Sequence, residues 1–358
     1  MQIDIHHSGI YVICRISGMK SKFAEIVAYA SQYVDDAVFK YALKFKNGGY
    51  FKQVQTAHKL LSPKNFDFDE ALEIWMPFHF LPKGGDSSDG LVTAPDSKIM
   101  ALLLEDIRCS SPSHLLYRLG IGLHCFADAF SHQDFMGFND SYNDVHLIQS
   151  VEEKGNKENP GRLSLRLLDR WSSDSMSMGH GEVLNNPDLP YAEWAYSRGS
   201  KTFRIRNTEE RYLPALKNIY DYLNYFLGKN SQYCAHFKIR AFEDYLEKFR
   251  WILSFKGSPE ERHRNWLKKI KENYFEFADF DDTDRNIGYD EKRWFSQAVE
   301  AIKVSKATHH HYQKYDYHMF RKKDGFEDSD WVKFMQAAAE HQFLIIHCLL
   351  PESGLIIG

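Results

Sequence analysis

His124, Asp128 and His132 stand at successive four-residue steps inside GIGLHCFADAFSHQDFMGF, residues 120 to 138, a segment that is otherwise largely apolar. On an α-helix four residues turn through about 400°, so the three side chains drift only about 40° per step and share one face over two turns. Two imidazoles and a carboxylate on one face are metal-ligating types, suited to a borderline-soft cation such as zinc. Leu123, Phe126, Ala127, Ala129 and Phe130 leave little polar surface around them, which predicts a helix buried on most sides. A buried polar stripe needs partners, because an unpaired buried charge is costly. The plain alternative is a satisfied hydrogen-bond network in the core, the commoner fate of one buried histidine. Three such residues in register favour the metal reading.

Further candidates lie elsewhere in the chain. QIDIHHSG sets Asp4 and His6 two residues apart, a spacing that puts both on one side of an extended segment. SQYVDDAV ends a helical pattern with Asp35 and Asp36, MPFHFLP sets His79 among aromatic residues, and SMGHGEVLNNPDLPY presents His180 between glycines, which let a backbone approach a site closely. Each has a structural reading of its own: a solvated helix end, a core histidine, a loop residue. Together they form an ordered series.

The elements that must carry these residues read as helices. Phe23, Ile26, Val27, Ala30 and Val34 recur at helical spacing after a candidate cap at Ser21. A second helix is expected from near Pro95, and a third, bearing the His-Asp-His face, begins after Ser-Pro-Ser at 111–113. FHFLPKGGDSSDG reads as a loop, and residues 136 to 162 as irregular and exposed. From about residue 207 the pattern is helix after helix. The expectation is an all-α protein with a metal-binding helical domain over 1–206 and a C-terminal helical region over 207–358, packed on the first as one unit.

Composition limits the partners. The 358 residues, 43% hydrophobic and 15% aromatic, are enough for a sizeable core. The 45 basic and 49 acidic residues nearly balance at a formal charge of −4, which marks no nucleic-acid-binding patch. Cys14, Cys109, Cys125, Cys234 and Cys348 show no CxxC spacing and read as reduced thiols. MQIDIHHSGIYVICRISG is polar where a signal peptide needs an apolar run, and no stretch reaches the length of a membrane span. A cytoplasmic location follows as the expectation, with export by a dedicated machine equally compatible. The histidine-rich THHHYQKYDYH, with His309, His310, His311 and His318, reads as an exposed segment.

The order of these motifs resembles the zinc-dependent phospholipase C and P1 nuclease superfamily, and more closely the DUF6765 family, in YASQYVDDA, PFHFLP, LHCFADAFSHQDFMGF and MGHGEVLNNPDLPYAEW. The likeness covers roughly residues 1 to 200. It implies a phospholipase C/P1 nuclease-like helical domain around a buried cluster of two or three zinc ions. One ion would be held by Asp35, His79, His124 and Asp128, a second by His132 and His180, and a third by His6 and Asp128. Two positions depart from the pattern. The superfamily's N-terminal tryptophan ligand is replaced by Met-Gln, with Asp4 as the candidate substitute. Its glutamate after the Gly-His histidine is Leu184, leaving Glu182 and Asp188 as candidates; Asp188 is preferred because the PDLP turn returns it to the site.

The implied chemistry is hydrolysis of a phosphodiester by metal-activated water, with Asp35 as the residue that orients or deprotonates the water. The substrate is a lipid, a nucleic acid or a small nucleotide, since 26 Phe, 20 Tyr and 7 Trp suit an apolar or a stacking pocket equally. Trp75, Phe78 and Phe80 are candidate pocket residues, with core packing as their ordinary role. An HD-type phosphohydrolase is disfavoured, because the chain contains no adjacent His-Asp pair. A non-catalytic metal-binding or scaffolding protein is the alternative that fits the two departures.

Overall fold

The computed structural model describes residues 1–58, 68–85, 89–110, 113–149, 180–235, 239–303 and 318–355. A buried π-helical turn, Asp4–Gly9, runs directly into helix α1, Ile10–Ile16. Helix α2 spans Ser21–Asp36 and ends on the Asp35-Asp36 pair. Ser21 is its first residue rather than its cap, and its hydroxyl meets Asp281 at 2.5 Å. Strands β1, Ala42–Lys44, and β2, Tyr50–Lys52, follow as an antiparallel hairpin. Helix α3, Lys98–Cys109, starts where the Ser97 hydroxyl accepts the Met100 N–H at 3.0 Å. Helix α4, Leu115–Ser131, is buried at every residue.

Strands β3, His146–Gln149, β4, Glu193–Arg198, and β5, Lys201–Arg206, form a second antiparallel sheet in that order. Helices α5, Leu213–Lys229, α6, Leu246–Leu253, and α7, Pro259–Lys271, come next. A third sheet pairs β6, Val299–Lys303, with β7, His318–Lys322, before helix α8, Asp330–Leu344.

The all-α expectation is therefore overturned. About 57% helix and 13% strand, in three small sheets, make this a mixed α and β fold. The turns explain the strands. Asn47-Gly48-Gly49 closes β1 on β2, with Gly48 at φ 88°, and Gly199-Ser200 closes β4 on β5, with Gly199 at φ 57°. Both are hairpin chemistry, because positive φ costs glycine little. His146–Gln149 adds an edge strand to a segment expected to be irregular, with Leu147 opposite Tyr196.

Packing centres on α4. A Cβ at Gly120 would lie 2.5 Å from both the Ala30 Cβ and the Val27 carbonyl oxygen, so glycine is what lets α2 and α4 cross this closely. On another side α8 is tied to α4 by Arg118 to Glu340 at 2.7 Å. Buried Arg15 of α1 reaches Asp284 at 2.9 Å and Asp279 at 2.6 Å. The main apolar core joins Ile13, Leu123, Leu216 and Trp266. Among the described residues no helix is long and apolar enough to cross a membrane.

Candidate metal centre

Four imidazoles are oriented in the same way, each by donating one ring N–H to a main-chain carbonyl. His124 Nδ1 donates to Ser31 at 2.8 Å, His79 Nε2 to Thr56 at 2.9 Å, His132 Nδ1 to His79 at 3.0 Å and His180 Nδ1 to Leu184 at 2.8 Å. The local folds supply those carbonyls. Ser31 is presented by α2 at the Gly120 crossing, and Leu184 turns its carbonyl to His180 from φ 55°, a conformation that L side chains rarely adopt. With one nitrogen donating outward, the other faces inward as a ligating position.

The inward nitrogens meet carboxylates. Asp128 Oδ2 lies 3.0 Å from His79 Nδ1 and 3.1 Å from His124 Nε2, while its Oδ1 lies 3.1 Å from His6 Nε2. Asp35 Oδ1 stands farther off, 3.8 Å from His124 Nε2 and 4.0 Å from His79 Nδ1, with a third of its side chain exposed. Asp188 lies 3.6 Å from His132 Nε2 and 3.4 Å from His180 Nε2. Three sets result, His6/His124/Asp128, Asp35/His79/His124 and His132/His180/Asp188, each with ligand atoms within 4.8 Å of one another. The Met1 amine contacts Asp128, with Ser131 Oγ at 2.9 Å and Asp188 Oδ1 at 3.1 Å.

Burial dominates the electrostatics. It pushes the imidazoles of His6, His124 and His180 down to about 4, so they are neutral at neutral pH. It also raises the Asp35 carboxyl. Burial works against ionised Asp128, yet the Met1 ammonium and the His132, His6 and His124 rings outweigh it and hold this carboxyl well below the usual range. Burial works against protonated His79 too, and Asp128 outweighs it, raising this imidazole.

A divalent cation fits this donor set. His79 Nδ1 and His124 Nε2 are 3.1 Å apart, and two lone pairs at that distance repel unless a proton or a cation lies between them. Two nitrogens bound to one tetrahedral zinc at about 2.0–2.1 Å lie roughly 3.3 Å apart. His6 Nδ1 is buried without a hydrogen bond, and His6 Nε2 and Asp188 Oδ1 are buried with only ionic neighbours, the nearest 3.1 Å from each, as expected of atoms shaped for a ligand.

Asp4 corrects the sequence reading. Its carboxylate takes Arg262 Nε at 2.8 Å instead of joining the imidazoles. The expectation assumed an extended segment, but this stretch is helical, and residues two apart on a helix point about 200° apart. His6 therefore faces Asp128 while Asp4 faces away. Phe80 stacks on His132, centroids 4.3 Å apart, and Trp75 lies 5.1 Å from His79, so both pack the ligands in place. Phe78 stacks on His341. The Glu182 side chain and the His309, His310 and His311 run lie outside the described residues, as does the side chain of His318.

Sequence reasoning missed two contributors. Buried Arg211 donates to the Ser131 carbonyl at the end of α4, beneath which the Trp194 ring lies 5.3 Å away; TEERYLP offered no signal for it. Asn207, fully buried, donates to the carbonyls of Asn186 at 2.6 Å and Leu189 at 2.7 Å and so ties down the turn that carries Asp188. Its position just after a hairpin strand was the available clue. A cleft of about 700 Å³, lined by Gln32, Asp35, Asp36, Tyr289, Asp290 and Glu291 among others, reaches Asp35 and Met1 at the edge of the cluster.

The model of DUF6765, a family of unknown function, matches residues 1–349, and the chain belongs to that family. No curated protein and no solved structure matches it.

Proposed function

We propose that this DUF6765 protein is a zinc-dependent phosphodiester hydrolase in which water, rather than a side chain, attacks phosphorus. The observation that carries the reading is the set of imidazoles locked by main-chain carbonyls with their free nitrogens turned onto Asp35, Asp128 and Asp188. The order of the ligand motifs, similar to that of the zinc-dependent phospholipase C and P1 nuclease superfamily, supports the same chemistry. Asp35, His79, His124 and Asp128 would hold one ion, His132, His180 and Asp188 a second, and His6 with Asp128 a third. When bound, zinc makes water a nucleophile near neutral pH and polarises a phosphoryl oxygen.

The chain's own groups do the rest. Asp35 is the one carboxylate of the three sets that is partly open to the cleft, and it orients the attacking water and accepts its proton through Oδ2, the oxygen that does not face His79 and His124. The water oxygen bonds to phosphorus as the ester oxygen opposite it leaves with the electron pair and takes a proton from solvent. The cleft walls carry Asp35, Asp36, Asp290 and Glu291 and no lysine or arginine among the described residues. That charge repels an extended polyanionic strand and favours a small or lipid phosphodiester with a single negative charge.

Elemental analysis with hydrolysis of bis(4-nitrophenyl) phosphate tests this function. Two or three zinc ions per chain and activity that chelation abolishes are the expected outcome. A folded, metal-loaded protein inactive on this ester, on phospholipids and on single-stranded nucleic acid would replace it with a metal-binding or scaffolding role.

A further inference from the structure

His6 differs from the other four imidazoles of the cluster. Each of those is oriented by its own carbonyl, whereas neither ring nitrogen of His6 meets a main-chain carbonyl: Nδ1 is buried without a partner, and Nε2 has only Asp128 Oδ1, 3.1 Å away. Its ring stacks on His124 at 3.8 Å between centroids, 20° from parallel, and stacking alone leaves rotation within the plane unfixed. Something else must set the direction of Nε2 toward Asp128.

Helix α7 supplies it. Its start is strongly fixed: Ser258 and Glu261 form a reciprocal cap, with Pro259 at the first helical position. One residue beyond Glu261, Arg262 is 2% exposed and reaches back across 258 positions to the opening turn. Its Nε donates to Asp4 Oδ2 at 2.8 Å, its Nη2 to Asp4 Oδ1 at 3.4 Å and to Gln2 Oε1, and its Nη1 to the Gly257 carbonyl at 2.7 Å. His263 holds the other side, with Nε2 3.1 Å from His7 Nδ1. The residues before and after this imidazole's neighbours are thus clamped: Asp4 by a planar two-pronged guanidinium and His7 by a ring.

We infer that Arg262, acting through Asp4, is a positioning residue for the metal centre, aiming His6 at the cation it shares with His124 and Asp128. The inference rests on the proposed metal-dependent reading. It gives α7 a task at a site whose ligands lie in the first 188 residues. A fork rather than a point charge is required, because two prongs fix the plane of the Asp4 carboxylate and hence the rotation of the turn.

The test titrates the full-length, chelator-stripped protein with cobalt(II) and follows its visible absorption. The wild-type spectrum minus that of His6→Ala defines the component owed to His6. Arg262→Lys, which keeps the charge but not the fork, should weaken that component by about 10–100-fold in affinity, the range of outer-shell changes. The paired change Arg262→Met with Asp4→Leu leaves no buried charge uncompensated and should do the same if the lysine variant does not fold. In a His6→Ala background neither change should lower cobalt affinity further. Wild-type affinity for the His6 component in a folded variant, or an equal loss with and without His6, overturns the positioning role alone. A wild-type protein that binds no cobalt overturns this inference and the metal-dependent reading together.

Discussion

At the His124 end of the cluster the donors stand on or beside regular helices, whereas at the His132 end they stand on turns. His124 lies mid-way along α4, Asp35 closes α2, and His6 sits in the turn that leads into α1. By contrast His132 caps the end of α4, His180 precedes a short 3₁₀ turn, and Asp188 ends another. The inner donors inherit their geometry from helix packing over many residues. The outer ones depend on a few bonds, chiefly the Asn207 side-chain amide and the Leu184 carbonyl. The same ligand chemistry is thus set up by bulk packing at one end and by single hydrogen bonds at the other, so the outer end should yield first to local change.

The largest effect should come from the carboxylate that His6, His79 and His124 all face at the inner end. Asp128→Asn is expected to lower metal affinity beyond the about 100-fold upper range of outer-shell substitutions and to remove hydrolysis with it. Full zinc content by elemental analysis in folded Asp128→Asn would show that the inner end does not depend on this carboxylate.

Acid should invert the order of fragility. Burial pushes His6 and His124 down to about 4, His7 well below its usual value, His263 to about 4 and His341 to about 3, all at or behind the inner end, against His180 at the outer. Each is neutral when folded and binds a proton near pH 6.5 when unfolded, so the unfolded chain gains protons as pH falls and stability falls with it. The loss begins near pH 6.5 and continues to about 4, with a limiting slope of about 1.4 kcal/mol per pH unit for each histidine. Urea denaturation of the chelated protein should show it, with amide exchange rising first in α1 and the centre of α4. A midpoint flat between pH 6.5 and 5 would contradict neutral burial.

Asn207→Ala sharpens the comparison at the outer end. It strands the carbonyls of Asn186 and Leu189 and the Trp194 indole N–H, which donates to the Asn207 amide oxygen at 3.0 Å. A loss of about 2–4 kcal/mol is expected, with metal released from the His180 set before the His124 set. Equal release would erase the distinction. The smallest effect belongs to Leu184→Gly: glycine relieves φ 55° but gives up a partly buried side chain, for a net change of at most about 1 kcal/mol in thermal melts. The His180 contact uses only the backbone and should persist, so loss of the outer metal in this variant would mean that the leucine side chain holds the turn.

What the sequence disclosed follows the same division. His124, Asp128 and His132 were legible because helical period is a local property, and α4 is apolar enough to declare its burial. Asp4 was misplaced because two-residue spacing means the same side only on a strand, and four residues of DIHH do not reveal which period applies. The hairpins were legible but overlooked: Asn-Gly-Gly and Gly-Ser are strong turn signals, outweighed in the reading by the helical runs on either side. Arg262 and Arg211 left no trace, since each acts across a separation that no local pattern encodes, and Asn207 offered only its place just after a hairpin strand. Ser31 and Thr56 act through carbonyl oxygens, which every residue possesses.

The bond between Asp4 and Arg262 also imposes an order in time. A chain emerges from the ribosome from its first residue onward, and α2 and α4 can meet while the later helices are still unmade. The opening turn cannot be latched then, because its partner lies 258 residues downstream. The part of the centre that is made first is therefore finished last, after a closure across most of the chain. A product cut short before α7 would keep most of the candidate ligands yet lack the latch on His6, so on the proposed reading an ion bound at that corner would mark a chain whose synthesis has reached α7.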